Sequence, residues 1–485
     1  MTTTPFFPLW RARLASLGRK TTHSLRQSTL GQFRESLSRF IPPALLVAQE
    51  EGPNSRERVF PLGLTFQCFI WQMLNPHTSC REVVRHVQTL LRLAGLMPID
   101  DSDSAYVQAR QRFPRQRLEK ALHQTAQAAD RRVGKGGRLA GRPVKVVDGS
   151  TTQLPDTKKN QKRYPQPSAQ KPGCGFPVMK FVVLFSLASG AVGNVIMGNL
   201  HNHELHLFRR LWDQLKTGDI ILGDRAWGEF TTLAVLPRRR QVDVVARLHG
   251  ARKCDFRKAQ RLGKNDGLFT WTKSQQPSAI LTLRQWRALP EQITVRVIRF
   301  TAASRGFCSR SITLVTTLVD PKLYPADQLK ALYARRWQLE LCLRDLKTTM
   351  GMEQLRCKSP AMAQKEMLAY LVAHNLIRCL MAEAISRYDA QLERISFKGT
   401  VDALRQYSAA VAQARTRKMR DQLWEDLLLN LARDLVPLRP NRCEPRALKR
   451  RPKPYSLLTK PRHLYKEIPH RARYRKNKGA EKSNA

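Results

Sequence analysis

Two apolar segments that each end in an aspartate constrain the fold of this chain more than any other feature. Residues 144–147 are rich in valine and precede Asp148, and residues 220–223 precede Asp224. Runs of this kind predict buried strands. A carboxylate at the end of a buried strand is costly and therefore uncommon unless it has a task. The sequence thus predicts an α/β fold with Asp148 and Asp224 as candidate functional residues.

Residues 333–347 (YARRWQLELCLRDLK) contain neither Gly nor Pro and predict a helix. At about 100° per residue, Tyr333, Arg336, Glu340 and Lys347 fall within an arc of roughly 60°. A neighbouring stripe of leucines would pack this helix on a core and leave the polar stripe at its edge. A solvated face with charge pairs explains the polar stripe about as well when the helix is considered alone.

The two strand-end aspartates make Glu340 a stronger candidate for a functional residue. Three carboxylates from two strands and a helix would form a site made only of oxygen ligands, which suits Mg²⁺ or Mn²⁺. The Arg and Lys on the same helix would lie beside it and could bind a phosphate. No other carboxylate combines the motif context with a buried strand end or the right helix face; the nearest alternatives are Asp156, Asp219 and Asp345.

The order Asp148, Asp224, Glu340, with the glutamate inside Tyr-x2-Arg-x3-Glu-x6-Lys, resembles the DDE transposases of the insertion sequence 4 family. The segments VDGST (147–151) and LGDRAWG (222–228) extend this similarity, which covers roughly residues 144–381. The resemblance implies a ribonuclease H-like catalytic core at residues 144–385 with a β-rich insertion at 250–310. An α-helical N-terminal region (1–143) and an α-helical C-terminal region (386–485) would flank this core.

The same resemblance implies metal-dependent cut-and-paste transposition, in which the enzyme cleaves the element's ends and transfers the strands to target DNA. Asp148, Asp224 and Glu340 would hold two Mg²⁺ ions, for which Mn²⁺ substitutes. The expected partners are double-stranded DNA, as terminal inverted repeats and target, and a second subunit in a synaptic homodimer. Four residues would contact DNA phosphates: Tyr333, Arg336, Lys347 and Arg247.

Charge supports a nucleic-acid partner independently of the family. The chain has 485 residues, with 85 Lys and Arg against 38 Asp and Glu, giving a formal net charge of +47. This imbalance exceeds what solubility requires, and a polyanion explains it most simply. Nine cysteines without a Cys-x-x-Cys pair indicate reduced thiols, and no apolar window indicates a membrane span, so a bacterial cytoplasmic location is expected.

Sequence-specific DNA binding is expected from the N-terminal region. A short helix around residues 105–112 carries Gln108, Arg110 and Arg112, which are suited to base edges and phosphates. An ordinary helical packing unit with a basic face is the alternative. The Gly-rich basic residues 131–143 predict a linker that lies on DNA, and the basic tail after residue 436 predicts a DNA-holding arm or a merely solubilising segment.

Two alternative functions follow from the same sequence. The chain could be a transposase-derived DNA-binding protein that no longer cuts, or a ribonuclease H-like nuclease that cuts without joining. Hairpin formation is in question, because the strand after the insertion lacks the tryptophan with which some family members stack a flipped base, unless Trp271 or Trp286 replaces it. The histidines at 201, 203 and 206 are expected at a solvated helix start and not at a hard-ion site.

Overall fold

A mixed sheet of ten strands organises the structure, a computed structural model that describes residues 40–46, 58–93, 97–134, 136–302, 310–414, 416–437 and 458–465. The strands are β1 Arg138–Leu139, β2 Arg142–Gln153, β3 Val178–Ser186, β4 Val192–Asn199, β5 Ile220–Gly223, β6 Asp243–Arg247, β7 Gln260–Gly263, β8 Asp266–Thr272, β9 Gln292–Ala302 and β10 Arg310–Thr316. Their order across the sheet is β4-β3-β2-β5-β6-β10-β9-β8-β7, and β1 pairs with β2.

The two halves of the sheet differ in direction. Strands β2, β3 and β4 form an antiparallel meander, whereas β5 runs parallel to β2 and β6 runs parallel to β5. Strand β10 returns antiparallel to β6, and β9, β8 and β7 continue the antiparallel half. The strands between residues 260 and 302 therefore extend the edge of the central sheet.

Helices cover the sheet and build the regions on either side. They are α1 Leu62–Leu74, α2 Cys80–Leu93, α3 Ser104–Arg112, α4 Arg115–Val133, α5 Lys158–Arg163, α6 Glu204–Arg209, α7 Phe230–Arg240, α8 Leu283–Arg287, α9 Ala326–Ala334, α10 Trp337–Arg344, α11 Pro360–Arg387, α12 Phe397–Gln413 and α13 Arg417–Arg433. The α/β prediction is confirmed. A capping box opens α2: Ser79 Oγ accepts from the Glu82 amide, and the Glu82 carboxylate accepts from the Ser79 amide.

Helix α11 is the centre of the larger apolar core. It contacts α4 on the N-terminal side and α13 on the C-terminal side, and Asn375 joins it to β4 by accepting from the Val192 amide at 2.7 Å. Of the described helices, α11 has the length and apolarity to cross a membrane, but 94% of its most apolar window is buried inside the protein. Its apolar character is therefore explained by its central position.

The prediction that residues 131–143 form a DNA-bound linker is wrong. Helix α4 continues to Val133, and the following residues turn into the β1–β2 hairpin. A Cβ on Gly137 would lie 2.4 Å from the backbone of Ala188, so this turn is packed against the chain after β3. Arg142 forms an ion pair with Asp243 at 2.7 Å. Basic residues in this segment serve internal contacts, which a local composition cannot reveal.

Candidate active site

The sheet register brings Asp148 and Asp224 together. Parallel pairing of β2 with β5 places Val146 opposite Leu222, and β5 ends one residue later at Gly223. Asp148 lies two residues after Val146, and Asp224 lies two residues after Leu222. Both carboxylates therefore lie where the two strands separate. The prediction that the first strand ends at Asp148 is wrong, because β2 continues to Gln153 through its pairing with β3. Of these two strands, only β5 therefore ends beside the site.

Backbone amides hold one oxygen of each aspartate. Asp148 Oδ1 accepts from the Gly149 amide at 2.8 Å, and Asp224 Oδ1 accepts from the Ala226 amide at 2.8 Å. Burial raises the pKa of Asp148 to about 6; the Gly149 amide lowers it, and the charge of Asp224 raises it further. Arg336 and Glu204 also act on this carboxyl, with opposite signs. Asp148 thus lies in a partly buried cluster of negative charge.

The motif segment 333–347 is not one regular helix. Helix α9 ends at Ala334 and α10 begins at Trp337, with a tightened turn between them in which the Leu339 amide donates to Arg336 O at 3.0 Å. A π-helical turn then covers Asp345–Thr349. Such turns interrupt the α-helical repeat and often occur at functional sites. The uniform step of 100° per residue therefore does not hold across this segment.

Four of the predicted side chains nevertheless face the aspartates or their strand. Arg336 donates to Glu340 Oε1 at 3.0 Å, lies 5.9 Å from the centre of the Tyr333 ring, and acts electrostatically on Asp148. Burial alone would lower the pKa of Arg336, but Tyr333 and Glu340 together raise it. Lys347 Nζ lies 3.4 Å from Ser150 Oγ, two residues after Asp148 on β2. The π-helical turn directs Lys347 towards this strand.

Arg247 also belongs to this group. It is the last residue of β6, the strand next to β5, and pairs with Leu314 of β10. Burial raises the pKa of Tyr333, while the charges of Arg336 and Arg247 act to lower it. Arg247 therefore lies near Tyr333, on the same side of the site as Arg336. The structure brings together strand, loop and helix residues that are separated by about two hundred positions in the chain.

Within the described residues, no three His, Cys, Asp or Glu side chains are close enough to hold a metal ion together. Glu340 is instead paired with Arg336, whose charge also acts on Asp148. The residue types still suit a hard divalent cation, because Asp148, Asp224 and Glu340 offer only carboxylate oxygens. A cation would also offset the repulsion between Asp148 and Asp224.

The predicted DNA-recognition residues of α3 do not share one surface. Arg110 is 8% exposed; its Nη1 donates to Gln72 Oε1 at 3.0 Å, and its guanidinium lies against the rings of Phe69 and Tyr106. A guanidinium in this position does not reach a DNA groove, so the prediction for Arg110 is not supported. Gln108 is exposed and Arg112 is half-buried, and their role in recognition stays a prediction.

The positions of the tryptophans correct the suggestion that Trp271 or Trp286 stacks on a flipped base. Trp271 and Trp286 are each 5% exposed and pack in the apolar core beside the sheet, so neither is available to stack on a base. Trp337 is 61% exposed at the first position of α10, directly after Arg336. Sequence reasoning missed this residue, although its place between the Arg and the Glu of the motif was a visible signal.

Other polar candidates have structural roles. Asp219 is buried and forms an ion pair with Lys145 at 2.6 Å. His203 caps α6 by accepting from the Leu205 amide, as expected for a helix start. Asp345 is buried near Arg344 and Arg378, and burial raises its pKa to about 6. None of the three is placed beside Asp148 by these contacts.

Known proteins that are similar to this chain are transposases. The family described as Transposase DDE domain matches residues 139–376. Transposase InsG for insertion sequence element IS4 from Escherichia coli (strain K12) is 24% identical over 431 residues, which are 87% of this chain and 93% of that protein. A chain in the cryo-EM structure of the piggyBac transposase synaptic complex with hairpin DNA aligns over 83% of this chain and 85% of its own length, at a TM-score of 0.39 and 11% identity. A TM-score this low does not establish a common fold.

The match to the Transposase DDE domain, with Asp148 and Asp224 brought together beside the motif segment, indicates a DNA-cleaving and DNA-transferring enzyme of the DDE transposase class. Within that class, the chain is similar over most of its length to the transposase of insertion sequence element IS4.

Proposed function

We propose that the chain catalyses metal-dependent cut-and-paste transposition, with cleavage at the ends of its own element followed by strand transfer. The observation that carries this proposal is the register of β2 and β5, which brings Asp148 and Asp224 together beside the Arg336–Glu340 pair. A protein that only binds DNA has no need of a partly buried carboxylate cluster, because such a cluster repels phosphate.

The catalytic core is proposed to be ribonuclease H-like. Support comes from the strand order β4-β3-β2-β5-β6, with an antiparallel meander followed by two strands parallel to its first member. Residues 144–385 would form this core, and 250–310 would form the β-rich insertion. Residues 1–143 and 386–485 are proposed as the flanking helical regions, although α4 and α13 share the apolar core of α11.

Asp148, Asp224 and Glu340 are the residues that would hold Mg²⁺, or Mn²⁺ in its place, as a pair of ions. When bound, these ions would activate the attacking oxygen and stabilise the leaving oxygen of a phosphodiester. Arg336 would exchange Glu340 for a DNA phosphate, which releases the glutamate towards the aspartates. Tyr333, Arg247 and Lys347 would contact neighbouring phosphates and fix the position of the scissile bond.

Incubating the full-length protein with Mg²⁺ and DNA that carries the ends flanking its own gene tests the proposal. We expect both cut ends and joined products. Cutting without joining would favour a nuclease, and binding without cutting would favour a DNA-binding protein derived from a transposase. Size measurement with and without end DNA tests the proposed synaptic homodimer, and fractionation of producing cells tests the proposed cytoplasmic location.

Changing Arg336 or Lys347 to Ala should lower the rate of strand transfer roughly ten- to a thousandfold, as expected for the loss of a charge-assisted contact worth about 1.5 to 4 kcal/mol. Arg335→Ala is the matched control, because Arg335 pairs with Glu393 at 3.3 Å on another surface. Joining assays under single-turnover conditions measure the effect. Equal joining rates for the wild type and both variants would indicate that these residues form an ordinary solvated helix face.

Changing Trp337 to Ala should lower cleavage or joining roughly five- to a hundredfold, because stacking of an aromatic ring on a base is worth about 1 to 3 kcal/mol. Met419→Ala, which removes another half-exposed apolar side chain on α13, should leave these rates unchanged. The substitution should reduce activity less on DNA that lacks a base near the cleavage site than on intact ends, because that DNA offers no base for the ring to stack on. Wild-type rates in Trp337→Ala would exclude contact between the indole and the reacting DNA.

A further inference from the structure

The segment that begins at the motif lysine runs beside β2, away from Asp148. Alternate side chains of a strand share one face of the sheet, so Asp148, Ser150 and Thr152 lie on the same face of β2. Lys347 Nζ lies 3.4 Å from Ser150 Oγ, and the Thr152 hydroxyl donates to Met352 O at 2.7 Å. The chain from Lys347 onwards therefore follows this face towards the far end of the strand.

This parallel course continues past the end of β2. The Leu355 amide donates to Gln153 O at 2.9 Å, and the Thr157 hydroxyl donates to Lys358 O at 2.9 Å. Five steps of strand separate Asp148 from Gln153, which is about 17 Å at roughly 3.4 Å per residue. The pairing places Lys358 past Gln153, on the side farther from Asp148.

An open cleft of about 630 Å³ lies where this segment meets the N-terminal helices. One wall consists of the turn between α1 and α2 together with α3, and the other consists of this segment and the start of α11. Arg356 joins the two walls, because its guanidinium donates to Thr78 O at 3.1 Å and to His77 Nδ1 at 3.0 Å. Lys365 on α11 also donates to Gln111 O on α3 at 2.7 Å. Direct contacts therefore fix the two walls relative to each other.

The lining of the cleft has an excess of positive charge. It includes four cationic and two acidic side chains: Arg110, Lys159, Arg356, Lys358, Asp103 and Glu366. The Glu366 carboxylate already accepts from the Arg356 and Cys357 amides at 3.0 and 2.9 Å. Lys159 and Lys358 are exposed, and neither forms an ion pair within the part of the chain that the structure describes. Two lysines of the lining are therefore available to an anion.

We propose that this cleft binds phosphates of the DNA end on which the active site acts, with Lys159 and Lys358 as the contacting groups. This role rests on the proposed function. The duplex would leave Asp148 along β2 and pass Lys347 before it reaches the cleft. Since a duplex rises about 3.4 Å per base pair, the contacted phosphates lie about five to eight nucleotides from the scissile phosphate. The N-terminal region and the core then hold one stretch of DNA and fix its position relative to the carboxylates.

An ordinary solvated surface makes a different prediction. Two exposed lysines that only keep a basic protein soluble would act on all DNA phosphates alike. Contacts in the cleft would instead involve particular phosphates. Replacing single phosphates by uncharged methylphosphonates identifies them, because a contact that the lysines make cannot be lost a second time once the lysines are gone.

The test measures binding of the full-length protein to end DNA by fluorescence anisotropy, in buffer with EDTA and with single methylphosphonates on either side of the cleavage site. For the wild type, a methylphosphonate about five to eight nucleotides from that site, on one side of it, should raise Kd roughly three- to tenfold. Lys159→Gln combined with Lys358→Gln should raise Kd for unmodified ends roughly ten- to thirtyfold at about 0.15 M salt, and should flatten the slope of log K against log salt by about 2. The same methylphosphonates should have little further effect on this double variant.

Lys398→Gln combined with Lys418→Gln is the matched control. These lysines are exposed on α12 and α13 and do not line the cleft. The control should keep the wild-type response to each methylphosphonate. Both double variants should melt as the wild type does, because all four side chains are exposed.

The outcomes separate the cleft from the function on which its role rests. An equal response to every methylphosphonate in the wild type and in the Lys159, Lys358 variant would overturn the cleft as a DNA site, whether or not the protein cleaves. A difference confined to phosphates more than about ten nucleotides from the cleavage site would overturn the path along β2. The expected response in a protein that neither cuts nor joins its ends in Mg²⁺ would overturn the proposed function and support the cleft.

Discussion

Replacing Asp148 with Asn should abolish DNA cleavage and, in metal-free buffer at neutral pH, make the protein more stable. Cleavage is lost because the carboxylate at the junction of β2 and β5 is the proposed centre of the metal site. We expect a loss of at least roughly a thousandfold in the single-turnover cleavage rate, comparable with the loss of a central electrostatic group in other enzymes. Asp224→Asn and Glu340→Gln should lose cleavage to a similar degree, with DNA binding retained or slightly tighter.

The gain in stability follows from the raised pKa of Asp148. Burial and the charge of Asp224 raise this pKa from 3.8 to about 6. Between these two pH values the folded protein therefore keeps a proton that the unfolded chain has released. The contribution of this group to the free energy of unfolding is present below about pH 4 and is lost as pH rises through about 6. Its full size is on the order of 2 to 3 kcal/mol.

Urea unfolding of wild type and Asp148→Asn with EDTA at several pH values checks this result. The difference in unfolding free energy between the two proteins should be small at pH 4 and should grow up to about pH 7, with the variant more stable. A difference that stays constant over this range would show that Asp148 carries no raised pKa. Near wild-type cleavage by any one of the three carboxylate variants would remove that residue from the catalytic set.

The dependence of DNA binding on salt should be steep and should depend on the C-terminal tail. Residues 437–485 contain 16 Lys and Arg but only 3 Asp and Glu. If the whole protein neutralises about ten phosphates, log K against log salt concentration should fall with a slope of about −9. Deleting the residues after Val436 should flatten this slope and weaken specific and non-specific DNA alike, because a basic arm contacts the backbone and reads no bases.

A tail of unchanged length with its Lys and Arg replaced by Gln is the matched variant, and it should behave like the deletion. Changing Gln108 and Arg112 should instead reduce mainly the preference for the element's own ends, with little effect on the slope. Fluorescence anisotropy at several salt concentrations, with end DNA and random DNA, measures both quantities. A slope that is the same with and without the basic tail would identify it as a solubilising segment.

Several features of this protein were determined by the sequence alone. Apolar runs with β-branched residues set the strand that contains Asp148 and the strand that ends just before Asp224, because buried parallel strands need continuous apolar runs. The predicted closeness of Arg336 and Glu340 is also seen in the structure, because these residues are four apart and remain neighbours at the start of α10.

Only the tertiary structure decided which polar groups are available for function. Arg110 is buried because Gln72, Phe69 and the distant Cys357 surround it, and no local pattern around position 110 contains that information. The same reason applies to the packed residues 131–143, the exposed Trp337 and the cleft between α3 and α11. Local sequence determines the conformation of a segment, whereas burial and charge neighbours depend on side chains that only the folded chain brings into contact.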